Sequence, residues 1–231
     1  MIDTLRAGLP ALNLTLSEAQ LAQFERYAAL LLEKNQVMNL TAIRTPEKVA
    51  TLHFLDCLAL LGIVPLDGKR LIDVGCGAGF PGVPLKIAAP SLNLTLLDSL
   101  QKRVFWLRDE LLPALSLEAE CVAGRAEEFA AGHRGAYDVA TSRAVARLNV
   151  LAELCLPLVR TGGYFLAMKG QDAAAEAEEA APAIRLLGGT VERIAEYPIE
   201  DAVHRVVVIR KTAATPRQYP RQFAKIKKQP L

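Results

Sequence analysis

The sequence predicts an α/β protein built on a doubly wound, mostly parallel seven-stranded sheet, with a helical extension before it and a basic tail behind it. Three observations carry that expectation. Seven short apolar runs of strand length recur between Lys69 and Lys211, and helix-patterned segments separate all but the last two. A glycine-rich turn, "GCGAGFPG", follows the first run directly. The last two runs, "VERIAEYPI" and "HRVVVIRK", have no helix between them and should pair antiparallel as a hairpin.

Residues 1–66 read as a helical extension packed on the core, 67–211 as the sheet domain, and 212–231 as a proline-containing basic tail. In "LTLSEAQLAQFERYAALLLEKN", Ser17 and Gln20 have the spacing of a capping box. Leu21, Phe24, Ala28 and Leu31 then form one apolar face. A second helix starts at "TPEK", with Thr45 as cap and Pro46 at the first helical position, and stops at Gly62. On it His53 and Asp56 lie one turn apart and can meet, most simply as a structural hydrogen bond. The sheet domain then runs "KRLIDVG" (strand), "GVPLKIAAP" (helix), "NLTLLD" (strand), "SLQKRVFWLRDELLPAL" (helix) and "LEAECVAG" (strand). "YDVATSR" is the fourth strand, "ARLNVLAELCLPLVR" its helix, "GYFLAMKG" the fifth strand and "DAAAEAEEAAPAIRLLGG" the helix after it. Such alternation implies parallel pairing, right-handed crossovers and helices on both faces.

Composition narrows the class. A chain of 231 residues, 52% apolar, can bury a substantial core. Its longest apolar stretch, "LHFLDCLALLGIVPL", is interrupted by His53, Asp56, Gly62 and Pro65, so no membrane span is expected. The N-terminus lacks the basic-then-apolar pattern of a signal peptide. Cys57, Cys76, Cys121 and Cys155 have neither metal-site spacing nor a disulfide framework, which fits reduced thiols in the cytoplasm and no bound metal. The net charge of +2 conceals an asymmetry. Residues 210–231 hold seven of the 27 cations and no acid, leaving 20 cations against 25 acids in the body. A basic tail on an acidic body suits an arm for a polyanion, or simply a solvated and partly disordered segment.

In open sheets of this kind ligands bind beyond the carboxyl ends of the strands, where strand order reverses. Gly75, Gly77 and Gly79 fall at such an end and form G-x-G-x-G, which is neither the G-x-G-x-x-G of dinucleotide enzymes nor a P-loop. Bare backbone there lets a ligand approach closely, although a tight turn without a ligand would need some of the same glycines. Asp98 ends the next strand, 23 residues after Gly75, where a carboxylate accepts bonds from both ribose hydroxyls. The third strand leads into "GRAEEF", placing Ala126 and Glu127 where they could flank an adenine edge. Together these residues read as an adenosyl pocket. With no cation in the loop and with Asp73, Asp98 and Glu127 nearby, a sulfonium such as S-adenosylmethionine suits it better than a dinucleotide.

"NLTAI", the His-x-x-Asp of "LHFLDCL", "DVGCGAGFPGVPL", "LLDSLQKR", "GRAEEF", "TSRAVARL", "MKG" and "YPRQFAKIKKQPL" occur in that order along nearly the whole chain. In this the sequence resembles the ribosomal RNA small subunit methyltransferase G family, also called glucose-inhibited division protein B. The resemblance implies a class I, Rossmann-like fold and S-adenosylmethionine-dependent methylation of N7 of one guanine in 16S rRNA, yielding S-adenosylhomocysteine. It implies cofactor contacts from Gly75 and Phe80, from Asp98, Ser99 and Leu100, from Ala126 and Glu127, and from Arg143. Two positions depart from the family pattern: Leu52 precedes the helical His where Arg is common, and Cys57 follows the Asp where Ser is common.

The residues agree with N7 chemistry. Enzymes that methylate exocyclic amines use a [DN]-P-P-[FY] run after the fourth strand, and here that place holds "TSRA". Cys155 lies well inside a helix and reads as core, not as a nucleophile. Guanine N7 carries a lone pair and no proton, so in-line displacement governed by positioning needs no catalytic acid or base. Arg143 is expected to orient the methionine carboxylate or guanine O6, with an ion pair to Asp73 or Asp98 as its structural alternative. Arg147, Lys169, Arg217, Arg221, Lys225, Lys227 and Lys228 are the candidate phosphate contacts. The expected partner is 16S rRNA or a small-subunit assembly intermediate, met by a monomer. Two alternatives stand beside this reading: a small-molecule methyltransferase, and a non-catalytic RNA-binding assembly factor with a structural adenosyl pocket.

Overall fold

The computed structural model describes residues 1–143 and 146–231. Strands β1 (Arg70–Val74), β2 (Asn93–Asp98), β3 (Glu120–Ala123), β4 (Tyr137–Arg143), β5 (Val159–Lys169), β6 (Gly189–Ile199) and β7 (Ala202–Lys211) form one sheet in the order β3-β2-β1-β4-β5-β7-β6. The first five are parallel; β7 inserts antiparallel between β5 and β6, and the expected hairpin is β6–β7. Strand order reverses between β1 and β4, so the crevice for a ligand lies beyond Val74 and Arg143.

Period-two alternation assigns neighbours to opposite faces. Val206 and Val208 pack with the N-terminal helices, and Val207 and Ile209 with the helices of the other layer. The first layer contains the helices Ile2–Gly8 and Glu18–Met38, the 46–62 helix, Gly82–Ala88 and the 101–114 helix. The second contains Ala126–Gly132, Leu148–Cys155, Ala173–Leu186 and Phe223–Lys228, with Cys155 fully buried among them. No described helix is long and apolar enough to cross a membrane.

Ser17 and Gln20 do form a capping box, which starts the Glu18–Met38 helix. Thr45 occupies the cap position of the next helix, but its side chain makes no capping bond; Pro46, with φ already set, begins that helix. This helix widens into a π turn over Ala50–Leu55, which carries His53. The Asp56 backbone N–H donates to the His53 carbonyl there, but no hydrogen bond joins the two side chains.

The basic tail is docked on the body through its apolar residues and leaves several of its cations exposed. Ile226 is fully buried, Tyr219 nearly so, and the main chain at 215–219 is gripped by Arg134, which donates to the carbonyls of Thr215 (2.6 Å), Pro216 (3.2 Å) and Tyr219 (2.5 Å). Two apolar residues three apart, Phe223 and Ile226, make one face of a short helix that docks among the second-layer helices.

Candidate functional site

Beyond β1, β2 and β3 the carboxyl rim opens into a hollow of two lobes. The larger, about 420 Å³, is lined by Thr41, His53, Gly75, Gly77, Phe80, Asp98, Ser99, Leu100, Arg103 and Arg143. The smaller, about 110 Å³, is lined by Gly75, Leu97, Asp98, Ser99, Gly124, Arg125, Ala126, Glu127, Leu154 and Phe223. Gly75, Asp98 and Ser99 belong to both. A groove of about 500 Å³ at the opposite rim, by Arg70, Asn93 and Tyr137, lies at the amino ends of the strands and has no glycine in its lining.

The glycine turn is shaped by its backbone. Gly75 and Gly77 have φ of +75° and +57°, values that L side chains rarely take. A Cβ at Gly77 would meet no atom closer than 4.0 Å, so the glycine is not demanded by packing; a side chain there would stand in the hollow. Gly79 differs. It does not line the hollow, and a Cβ on it would lie 2.7 Å from Val83 Cγ2 and 2.9 Å from the Tyr27 hydroxyl. It is therefore corrected from a candidate ligand contact to a packing requirement. Tyr27, from the helical extension, holds the same turn by donating to the Ala78 carbonyl at 2.6 Å.

Asp98 sits at the junction of the lobes. Its Oδ2 accepts the Gly77 N–H at 2.9 Å and its Oδ1 the Leu100 N–H at 2.8 Å. A carboxylate oxygen accepts two bonds, so each retains room for one more donor. Beneath the turn, Asp73 is wholly buried; its Oδ2 accepts the Gly82 N–H at 2.8 Å and its Oδ1 has no partner among the described residues. Burial pushes the Asp73 carboxyl up to about 7. Glu127 accepts from Arg125 Nε at 3.0 Å on the wall of the small lobe.

Arg143, the last residue of β4, closes the large lobe. It does not pair with Asp73 or Asp98. Its Nη1 donates to Asp56 Oδ2 (3.2 Å) and to the Leu52 carbonyl (3.3 Å), and its Nη2 donates to His53 Nδ1 (3.0 Å). Since guanidinium only donates, His53 accepts at Nδ1 and carries its proton on Nε2, which donates to Thr41 Oγ1 at 2.8 Å. Burial and the charge of Arg143 lower the His53 pKa to about 3, so the ring is neutral. Phe80 stacks on that ring at 4.4 Å between centroids, with the Arg143 guanidinium 4.8 Å from its own centroid. The side chains of His53 and Asp56 are thus joined through Arg143, not to each other.

Asp56 Oδ1 also accepts from Tyr197 (2.9 Å) and His204 Nδ1 (2.7 Å), which face one another across the β6–β7 hairpin. Burial raises the Asp56 pKa, but the His204 bond and the Arg143 charge outweigh it and the net shift is downward. The Asp56 bond holds the His204 pKa above its ordinary value. On this side Arg143 borders a second cavity of about 510 Å³, lined also by Asp56, Arg147, Lys169, Glu176, Tyr197, His204 and Arg205.

Three candidate phosphate contacts are engaged within the protein. Arg221 donates from its backbone N, Nε and Nη2 to the carboxylate of fully buried Glu153, at 2.8, 2.8 and 2.6 Å. Lys169, 8% exposed, is held by Glu176 (2.8 Å) and the Ala146 carbonyl (2.6 Å). Both are corrected to structural cations, because a buried or enclosed partner already satisfies them. Arg147 pairs with Glu179 but stays 63% exposed, and Arg217, Lys225, Lys227 and Lys228 are exposed.

With this geometry in place, the family model described as rRNA small subunit methyltransferase G (GidB) matches residues 20–203. The chain belongs to that family. It is 46% identical over 234 residues to the ribosomal RNA small subunit methyltransferase G of Alkaliphilus oremlandii, covering 99% of this chain and 98% of the relative. Among solved structures, TrmN from Thermus thermophilus superimposes with a TM-score of 0.57 at 18% identity, over 77% of this chain and 53% of that one. A SAM-dependent methyltransferase from Aquifex aeolicus gives 0.55 at 15% identity, over 74% and 96%. These likenesses establish the fold as that of class I methyltransferases.

Tyr27, Tyr197, His204 and Phe223 were not singled out by the sequence. Their partners are 51 residues away for Tyr27 and more than 140 for Tyr197 and His204. For Phe223 a signal existed: an apolar residue three positions before Ile226 in an otherwise basic segment.

Proposed function

We propose that this chain transfers a methyl group from S-adenosylmethionine to N7 of a guanine in 16S rRNA. The observation that carries the reading is the pairing of the bare Gly75–Gly77 backbone with Asp98 at the strand-order switch, between two lobes of one hollow. Family membership and the likeness to the ribosomal RNA small subunit methyltransferase G of Alkaliphilus oremlandii support rRNA as the substrate.

The residues fit the cofactor. Open space above Gly77 receives the chain next to the sulfur, and the remaining capacity of Asp98 takes the two ribose hydroxyls. Ala126 and Glu127 in the small lobe flank adenine, with Ser99 and Leu100 beside the ribose. The bound cofactor supplies an electrophilic methyl group on a sulfonium. Phe80 and Arg143 close the large lobe opposite these groups, and the cavity on the far side of Arg143 is where the acceptor guanine enters.

No residue has to take a proton. His53 is the imidazole on the wall of the hollow, and its two nitrogens are already bonded to Thr41 and Arg143, leaving no free base there. That suits an acceptor with a lone pair and no hydrogen. Alignment alone can supply about 7–11 kcal/mol of barrier reduction. This exceeds the roughly 10²–10⁴-fold gain typical of acid–base assistance. Rigid walls therefore matter more than a reactive side chain, and the network around Arg143 supplies them.

Mass spectrometry of digested 16S rRNA from cells lacking the protein tests this directly. The expected outcome is loss of one 7-methylguanosine, restored when purified protein and S-adenosylmethionine are added to that RNA or to its small-subunit particles. An unchanged set of modified nucleosides overturns the reading.

A further inference from the structure

The short helix Phe223–Lys228 presents an aromatic ring to the hollow and lysines to solvent. It is anchored just before it begins, where Arg221 is locked to buried Glu153. The next residue after that carboxylate, Leu154, lines the small lobe, so the anchor and the lobe share one rigid element. Phe223 completes the lobe's wall, with the Arg125 guanidinium 4.5 Å from its ring centroid and Arg125 in turn bonded to Glu127. Ring, guanidinium and carboxylate therefore form one connected wall. Among the described residues Lys225, Lys227 and Lys228 have no carboxylate within ion-pair distance, which leaves that side of the helix cationic and exposed.

We propose that Phe223 is a cofactor-binding residue and that its helix couples the two substrates: RNA phosphates on Lys225, Lys227 and Lys228 hold the ring against the adenosyl group. The inference rests on the reading that the hollow takes that group. An adenine in the small lobe meets the ring of Phe223, and removing aromatic rings from bases costs about 1–3 kcal/mol. Polyanion on the opposite side bears on the same six-residue helix that carries the ring, so each ligand favours the helix position that suits the other. By linkage, RNA tightens the cofactor by the factor with which the cofactor tightens RNA.

The test is calorimetric titration of S-adenosylhomocysteine into the full-length protein, its Phe223→Ala variant and its Phe223→Tyr variant, each with and without a 16S rRNA transcript. The expected result is about tenfold weaker binding for Phe223→Ala, since 1.4 kcal/mol is a factor of ten, and wild-type affinity for Phe223→Tyr. The transcript should tighten the wild-type complex and leave Phe223→Ala unchanged. In turnover, Phe223→Ala should raise KM for the methyl donor without lowering kcat, which a loss of folding would not do. Equal affinity of wild type and Phe223→Ala, or a wild-type affinity indifferent to the transcript, overturns the proposal while sparing the methyl-donor reading. A wild-type protein that binds no S-adenosylhomocysteine removes that reading, and the coupling with it.

Discussion

Arg143 and Asp56 meet at 3.2 Å where the helical extension crosses the end of β4. The pair is enclosed, with side chains 16% and 7% exposed, and Asp56 also receives Tyr197 and His204 from the far hairpin. One carboxylate thus ties three separate parts of the chain around the mouth of the hollow.

Removing that carboxylate strands Arg143 in a site that cannot hydrate it. Asp56→Ala is expected to lower stability by about 3–5 kcal/mol, the usual cost of breaking a buried pair from one side. Urea unfolding of Asp56→Ala, Arg143→Met and the double variant measures it. If Asp56→Ala and Arg143→Met simply add, the two residues do not act as a unit.

The two histidines around Arg143 should titrate in opposite directions. His204 is raised by its Asp56 bond, with Arg143 opposing and Glu200 assisting. Its contribution to stability is fully present below its unfolded pKa of about 6.5 and fades as pH rises through the higher folded value. His53 is lowered to about 3, so its contribution is present above about pH 6.5 and is lost as acid is added toward pH 3. Histidine NMR titration should show the His204 midpoint above 6.5 and no His53 transition down to pH 4, both values being set against the unperturbed pKa of about 6.5. A His53 midpoint near its ordinary value would contradict the tautomer and the bonds assigned here.

Neighbouring glycines should fail in different ways. Gly77→Val is expected to abolish S-adenosylhomocysteine binding while costing only about 1–2 kcal/mol for a side chain at positive φ. Gly79→Ala meets Val83 Cγ2 at 2.7 Å and should instead destabilise by about 2 kcal/mol or more while the folded fraction still binds. Calorimetry paired with thermal melting separates them, and equal binding by wild type and Gly77→Val would remove that glycine from the site.

Charges in the C-terminal segment divide into two kinds. Lys227→Gln and Lys228→Gln are each expected to reduce the log–log salt slope of RNA binding by about 0.7–0.9 without changing the melting temperature. Arg221→Gln leaves Glu153 buried without its cation and should cost about 3–5 kcal/mol of stability. A melting temperature unaffected by Arg221→Gln would show that the anchor is not what holds this segment down.

The strand–helix alternation, the antiparallel final hairpin, the capping box at Ser17 and the glycine turn with Asp98 were all legible in the residues. Each depends on neighbours within a few positions, or on a rule for where acids fall at strand ends. The places that misled have a common cause. Gly79 looks like Gly75 and Gly77 in sequence, and only its contacts with Val83 and Tyr27 separate it from them. Lys169 and Arg221 look like free cations until Glu176 and Glu153 are brought beside them.

From the order of residues alone follow the class of fold, the rim of the candidate site, the chemistry proposed for it and the family resemblance, because periodicity and spacing act locally along the chain. The partner of Arg143, the neutrality of His53 and the docking of Phe223 against the hollow came from folding. They depend on groups dozens to more than a hundred residues apart meeting at the end of one sheet, where burial decides which charges are satisfied and by whom.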